Sequence, residues 1–226
     1  SKISPEYLIG LKLLLNEQAD KAINLFSEIV QVDEETIETH LALGVLFRKQ
    51  GKIDQAIKLH ENIISKKELK EHHYYQTLEE LAEDYYTAGL YDKSEELFKK
   101  LIEIKDHKIL SLTKLMQIYE YTCEWNKALS TVEKLNNINP SNEYKKNIPH
   151  YLCQISEKYI SQNDLEKAEL YIKQAKSTNS NSSRIPFVSV QIALKKDELV
   201  NALKIYKKLC EFSDLGHQIL LPDLIT

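Results

Sequence analysis

The stretch YLIGLKLLLNEQADKAINLF over residues 7–26 decides the fold, because it returns as LALGVLFRKQGKIDQAIKLH over residues 41–60. The two copies are 34 residues apart. In each copy a glycine precedes an alanine by 12 residues, as Gly10 and Ala22 and then as Gly44 and Ala56. Small residues at matched places let two helices cross closely. A fixed period of this length indicates a repeated pair of antiparallel helices.

The same spacing continues through the rest of the chain. Four further pairs of markers, each 12 residues apart, are Ala82 and Ser94, Met116 and Ala128, Ser156 and Ala168, and Val190 and Ala202. The second markers follow one another at 34, 38, 34, 40 and 34 residues. This pattern is typical of the tetratricopeptide repeat. It predicts an all-α, right-handed superhelical solenoid of about six helix-turn-helix repeats, with the first helices lining a concave groove.

The register also predicts how the chain is divided. We expect the repeat array over residues 1–216, with repeats near 3–36, 37–70, 75–108, 109–142, 149–182 and 183–216. The two longer spacings place polar insertions around SKKELKEHH and NNINPSNEYKKN, where surface loops are readily lengthened. Residues 217–226 are too few for another repeat, so we expect them to begin a further helix or to be a truncated C-terminal segment.

Composition supports helices and excludes several classes of protein. The 226 residues include only 5 Gly and 5 Pro, which disfavours all-β folds and Gly-rich phosphate loops. The net charge of −4 argues against binding of a nucleic-acid backbone. No apolar run reaches the roughly 18 residues of a membrane span, and no signal peptide opens the chain. Three widely spaced cysteines without a CxxC pair argue against a disulfide framework.

Particular residues are expected to end and begin the helices. Gly51 and Gly89 suit the left-handed position after a first helix. Asp54, Asp92 and Asn126 are expected to open second helices and to cap their amides, and Pro140 lies just past a helix end. The cysteines are expected within helices as small buried residues.

The amino-acid sequences of several repeats resemble those of one protein family. GLKLLLNEQADKAINLFSEIVQVDEETIETHLALGVLFRKQGKIDQAIKLHENII, over residues 10–64, is similar to the N-terminal repeats of lipopolysaccharide assembly protein B. LAEDYYTAGLYDKSEELF is similar to the third repeat of that family, and HYLCQISEKYISQNDLEKA to the fifth. The resemblance implies an adaptor that promotes degradation of the deacetylase LpxC by the membrane protease FtsH. It also implies a response to a membrane-embedded lipopolysaccharide sensor.

The resemblance further implies a location and a larger parent protein. Members of the family lie on the cytoplasmic face of the inner membrane of Gram-negative bacteria, through an N-terminal membrane helix. They also carry a C-terminal rubredoxin-like metal module with two CxxC pairs. Neither feature occurs in this sequence, so we expect a soluble piece without a cofactor or a metal site, and a homodimer stays open. The alternative function is a generic repeat scaffold for envelope, pilus or secretion-machinery assembly.

The register identifies the residues expected to face the groove, which together are called the predicted groove. They are Arg48, Lys49, Glu79, Glu83, Tyr86, Gln117, Glu120, Tyr121, Glu157 and Gln191. The functional interpretation is a protein-binding groove with acidic and tyrosine contacts that prefers a basic ligand segment. The alternative interpretation is a concave face that is merely solvated.

Two other groups of residues could suggest chemistry. His72 and His73 are adjacent, and His150 lies three residues before Cys153, but a zinc site needs four suitably spaced ligands. Glu79, Glu83 and Glu157 could suggest acid–base catalysis, but no nucleophile, phosphate loop or cofactor motif accompanies them. The sequence therefore predicts no metal site and no enzymatic activity.

Overall fold

The computed structural model describes residues 36–66, 69–140, 142–178 and 181–212, together with Ile9, Gly10, Leu13 and Lys21. The four continuous stretches are helical and contain no β-strand, as the sequence predicts. The eleven helices of these stretches are α1 (Ile37–Lys49), α2 (Ile53–Ile64), α3 (Glu71–Thr87), α4 (Tyr91–Leu101), α5 (Lys108–Tyr121), α6 (Trp125–Ile138), α7 (Asn142–Lys145), α8 (Ile148–Ser161), α9 (Leu165–Ser177), α10 (Arg184–Lys195) and α11 (Leu199–Phe212). Most of the first expected repeat and the segment after Phe212 lie outside the described residues.

The chain divides into two compact units, residues 1–90 and 91–226. In the first unit, α1 packs on α2, and both helices pack on α3. In the second unit, each helix packs on the next along the chain from α4 to α6, and α6 packs on α8. From α8 to α11 neighbouring helices again pack in pairs, and α8 also contacts α10. Pairs of helices therefore stack on pairs, because one pair cannot bury its own apolar face.

The small markers lie where paired helices meet. A methyl group on Gly44 would stand 2.2 Å from Nε2 of His60, so only glycine fits against that imidazole ring. In the fifth repeat, the Ser156 hydroxyl donates a 2.8 Å hydrogen bond to the carbonyl oxygen of Ala168, its partner marker. Both residues are fully buried. The role assigned to these two marker pairs from their 12-residue spacing is confirmed.

In the second to sixth repeats, which the structure describes, the turn after the first helix has a left-handed backbone. Gly51 and Gly89 have φ values of 77° and 74°, which confirms their predicted role. Cys123, Asn163 and Asp197 occupy the matching position in the next three repeats, with φ values of 58°, 60° and 61°. A non-glycine residue in this conformation costs on the order of 1 kcal/mol, least for Asn and Asp.

Cys123 therefore corrects the expectation that the cysteines lie buried within helices. It stands in the turn after α5 and is exposed. Cys153, in contrast, is fully buried in α8, as expected. Cys210 belongs to α11, and its side chain lies outside the described residues.

The predicted helix caps are wrong by two residues. Asp54, Asp92 and Asn126 are each the second residue of a helix rather than the residue before it. The actual N-cap residues of α2 and α6 make no side-chain cap hydrogen bond. Asp54 and Asp92 instead lie in the first turn, where a carboxylate interacts favourably with the helix dipole. Pro140 does follow the end of α6, as expected.

Each unit has its own buried apolar residues. Ile37, Leu41 and Ile63 form a cluster between α1 and α2. A cluster in the second unit joins α8, α9 and α10 and consists of Leu152, Cys153, Ala168, Ile172, Ala175, Ile185, Val188 and Ile192. Across the part of the chain that the structure describes, no helix has both the length and the apolar character needed to cross a membrane.

Candidate functional site

Arg48 links two successive first helices of the repeats. From α1, its guanidinium donates 2.6 Å hydrogen bonds to the carboxylates of Asp84 and Glu80 on α3. A third bond of 3.1 Å reaches the carbonyl oxygen of Glu80. Burial alone would lower the pKa of Arg48, but the bonds to Glu80 and Asp84 raise it above its ordinary value. The guanidinium of Arg48, a residue of the predicted groove, therefore bonds to residues of the neighbouring helix.

Asp84 extends this link to a third helix. Its side chain is fully buried, and its second carboxylate oxygen accepts a hydrogen bond from Nδ1 of His60 at 2.5 Å. Because the carboxylate can only accept, that imidazole nitrogen is the donor. His60 is itself fully buried and lies against Gly44. Residues of α1, α2 and α3 are therefore joined through one aspartate, which the register did not reveal.

The α3 face consists of Glu79, Glu83 and Tyr86. Steps of four and three residues place these side chains on one side of the helix. All three are half-buried. On the same helix, the hydroxyl of Tyr85 donates a 2.7 Å bond to Glu61 of α2, which is a second side-chain bond between α2 and α3. The structure therefore brings three residues of the predicted groove together on an anchored helix, while Lys49 stands exposed at the end of α1.

In the second unit, Gln117, Glu120 and Tyr121 lie on α5. Glu120 accepts hydrogen bonds from the hydroxyl of Tyr151 and, at 3.4 Å, from the amide of Asn147. Burial and the bond to Glu120 raise the pKa of Tyr151 well above its ordinary value. Glu120 therefore joins α5 to the next repeat. Tyr121 is 69% exposed and lies 4.6 Å from the ring of Tyr91, and Gln117 is half-buried.

A tyrosine and a lysine meet at the same register position in two repeats. The ammonium of Lys127 lies 5.1 Å from the ring centroid of Tyr119. Forty residues later, Lys167 lies 5.3 Å from the ring centroid of Tyr159. In such cation–π contacts the ammonium is attracted to the negative face of the aromatic ring. They hold the first and second helices of a repeat together, and the shared spacing was the signal by which the sequence could have revealed them.

A cleft of about 670 Å³ opens between α8 and α10 and is called the α8–α10 cleft. Its lining residues are Glu157, Ile160, Ser161, Asn163, Gln191, Leu194 and Lys195. Six of them follow the first markers Ser156 and Val190 by one, four and five residues. The cleft thus lies on the helix faces that the register assigned to binding. It contains two residues of the predicted groove, Glu157 and Gln191.

The charge of this cleft differs from the acidic character expected for the groove. The carboxylate of Glu157 accepts a 2.7 Å bond from the guanidinium of Arg184, which balances its charge. Lys195 adds an exposed ammonium to the lining. In the fifth and sixth repeats, Arg184 and Lys195 therefore offset the acidic character expected of the groove.

His150 and Cys153, the pair considered for metal binding, each lie in an environment that does not suggest a metal ligand. The ring of His150 packs edge-on against Trp125, with ring centroids 5.5 Å apart. Burial raises the pKa of the fully buried Cys153 thiol to about 11, which keeps it protonated near neutral pH. Among the described residues, no group of three or more His, Cys, Asp or Glu side chains is arranged to hold a metal ion.

Comparison with known proteins agrees with this architecture. A tetratricopeptide repeat family matches residues 39–72. The solved structure of MamA AMB-1 aligns with a TM-score of 0.51 at 18% identity, covering 84% of this chain and 98% of that one. At this identity the likeness concerns the fold alone. The chain is a tetratricopeptide-repeat helical solenoid.

Curated relatives give the more specific likeness. Lipopolysaccharide assembly protein B of Escherichia coli strain K12 is 32% identical over 90% of this chain and 52% of its own length. The protein of the same name from Haemophilus influenzae is 29% identical over 98% of this chain and 58% of its own length. The chain thus spans little more than half the length of these relatives. Through these repeats, the chain belongs to the family of lipopolysaccharide assembly protein B.

Proposed function

We propose that this chain is a non-enzymatic adaptor that limits lipopolysaccharide synthesis by delivering the deacetylase LpxC to the membrane protease FtsH. The observation that carries the proposal is the identity to lipopolysaccharide assembly protein B over nine tenths of the chain. In this proposal the repeats work at the cytoplasmic face of the inner membrane and respond to a membrane lipopolysaccharide sensor. The proposal requires neither a cofactor nor a reaction in this chain.

The network around Asp84 supports an adaptor because it makes a prearranged surface. Side chains held in one conformation lose less entropy when a partner binds. Arg48 and His60 both bond to the buried carboxylate of Asp84, which fixes α3 against α1 and α2. A partner that binds the α3 face would thus meet an anchored helix.

The α3 face supplies the chemistry for such a partner. Glu79 and Glu83 bring two carboxylates to one side of the helix, and Tyr86 adds an aromatic ring with a polar end. Tyrosine is enriched at protein interfaces because it combines contact area with a hydrogen-bonding hydroxyl. We infer that this face binds a basic and apolar segment of a partner protein.

We predict that Glu83→Lys with Tyr86→Ala weakens binding of purified LpxC or FtsH by roughly tenfold, since a reversed charge and a lost aromatic contact each affect an interface. Binding is measured by surface plasmon resonance on the full-length protein. Circular dichroism of the variant should match the original, because neither side chain is fully buried.

The matched control is Glu133→Lys with Tyr74→Ala, which makes the same chemical changes at exposed positions outside the predicted groove. The control should bind both proteins as the unchanged protein does. Equal affinity of the α3 variant and the control would remove the α3 face from the proposal.

A further inference from the structure

The α8–α10 cleft offers a different chemistry from the α3 face. We propose that it binds an extended acidic segment of a partner protein, in which an apolar side chain neighbours an Asp or Glu. The inference rests on the proposed adaptor function, because it assumes that the bound molecule is a protein. It adds a second, oppositely charged binding position to the α3 face.

The charge balance of the cleft indicates an anionic ligand. Glu157 and Lys195 are the two ionisable residues among the seven that line it. The 2.7 Å bond from Arg184 balances the carboxylate of Glu157, so Lys195 leaves the neighbourhood with a net positive charge. Opposite charge on a ligand strengthens binding and speeds association, whereas like charge opposes both.

The uncharged residues of the cleft suit an extended peptide. Ile160 and Leu194, from facing helices, are half-buried and provide an apolar surface for one side chain. The amides of Asn163 and Gln191 each offer a donor and an acceptor, which an extended backbone requires because its own groups are unpaired. The volume of about 670 Å³ lies within the range of clefts that bind small ligands or short segments.

The positions of these residues support a built site rather than an accidental gap. The lining repeats the same three places of the register in two successive first helices, after Ser156 and after Val190. Asn163 stands at the left-handed turn that ends α8, with a φ of 60°. The residue type there tolerates this backbone and also supplies an amide to the cleft.

The test uses two fluorescein-labelled ten-residue peptides, one alternating Leu with Asp and one alternating Leu with Lys. Fluorescence anisotropy measures their binding to the 226-residue chain. We expect the Asp peptide to bind in the cleft, whereas binding of the Lys peptide, which the α3 face attracts, should not be weakened by Lys195→Glu. Lys195→Glu should weaken binding of the Asp peptide by about 5- to 20-fold, the effect of reversing one exposed charge.

The matched control is Lys134→Glu, which makes the same charge change at an exposed position of α6 outside the cleft. It should change the affinity less than twofold, and Gln191→Ala should weaken binding of the Asp peptide. Failure of the Asp peptide to bind overturns the proposal. Equal effects of the Lys195 and Lys134 substitutions also overturn it, since they would indicate attraction to overall charge.

This experiment separates the cleft from the adaptor function. Peptide binding that requires Lys195 supports the cleft even if the cellular lifetime of LpxC does not depend on this protein. Conversely, control of LpxC lifetime together with absent peptide binding supports the adaptor and rejects the cleft. The two proposals can therefore fail independently.

Discussion

At Gly44 the side chain must be a hydrogen atom, because the fully buried ring of His60 occupies the space that a methyl group would need. The ring cannot move aside freely, since its Nδ1 donates to the carboxylate of Asp84. That carboxylate in turn accepts from Arg48. One small residue thus permits a polar network to form within the first unit.

We predict that Gly44→Ala destabilises the chain. In an unobstructed helix this change stabilises by about 0.5–1 kcal/mol, but overpacking a core costs about 1–3 kcal/mol. The contact of 2.2 Å with His60 makes the second effect larger. Thermal unfolding should show a lower Tm, by roughly 2–6 °C for a chain of this size.

The control is the same substitution with His60→Ala, which removes the obstructing ring. In that background Gly44→Ala should become neutral or stabilising. A similar loss of Tm in both backgrounds would show that the ring is not the cause.

Predictability from sequence was uneven at this scale. The left-handed turns at Gly51 and Gly89 were predictable from the sequence, because glycine is the residue that a left-handed turn favours. Cys123 occupies the same turn, and its residue type gave no such signal. The hydrogen bond between His60 and Asp84 was not predicted either, since it joins two positions of the repeat that carry no common sequence motif.

At the scale of helices, the register predicted which faces are oriented alike but not which side chains bond to neighbours. Arg48, Glu120 and Glu157 were all assigned to the predicted groove. Each also bonds to a residue of the following repeat, through Asp84, Tyr151 and Arg184 respectively. A period of 34 residues gives the direction of a side chain, whereas its partner depends on the facing helix, whose sequence differs in each repeat.

We predict that Arg48→Ala lowers stability more than Arg184→Ala. The first substitution leaves the fully buried carboxylate of Asp84 without its guanidinium, a loss of about 3 kcal/mol or more for a buried pair. Arg184 is 37% exposed and its partner Glu157 is 24% exposed, so solvent screens that pair to about 1 kcal/mol or less.

Hydrogen exchange checks this prediction within each unit. Arg48→Ala should speed exchange of the amides of α1 and α3, and Arg184→Ala should affect α8 and α10 only weakly. Equal losses of protection at the two sites would contradict the importance assigned to burial.

At the scale of the whole molecule, the period and the scarcity of Gly and Pro were sufficient to predict an all-helical repeat protein, because each repeat follows one simple packing rule. The family was predicted from the sequence segments inside the repeats, and the 32% identity to lipopolysaccharide assembly protein B agrees with that prediction. The charge of the α8–α10 cleft did not follow, since Arg184 reaches Glu157 from 27 residues away.

The most direct test of the adaptor is the half-life of LpxC in a Gram-negative cell after translation is stopped. Deletion of the gene for this protein should lengthen that half-life severalfold, and the full-length protein should restore it. The variant with Glu83→Lys and Tyr86→Ala should restore it poorly, and the control with Glu133→Lys and Tyr74→Ala should restore it fully. A half-life of LpxC that is unchanged by the deletion would contradict the adaptor function.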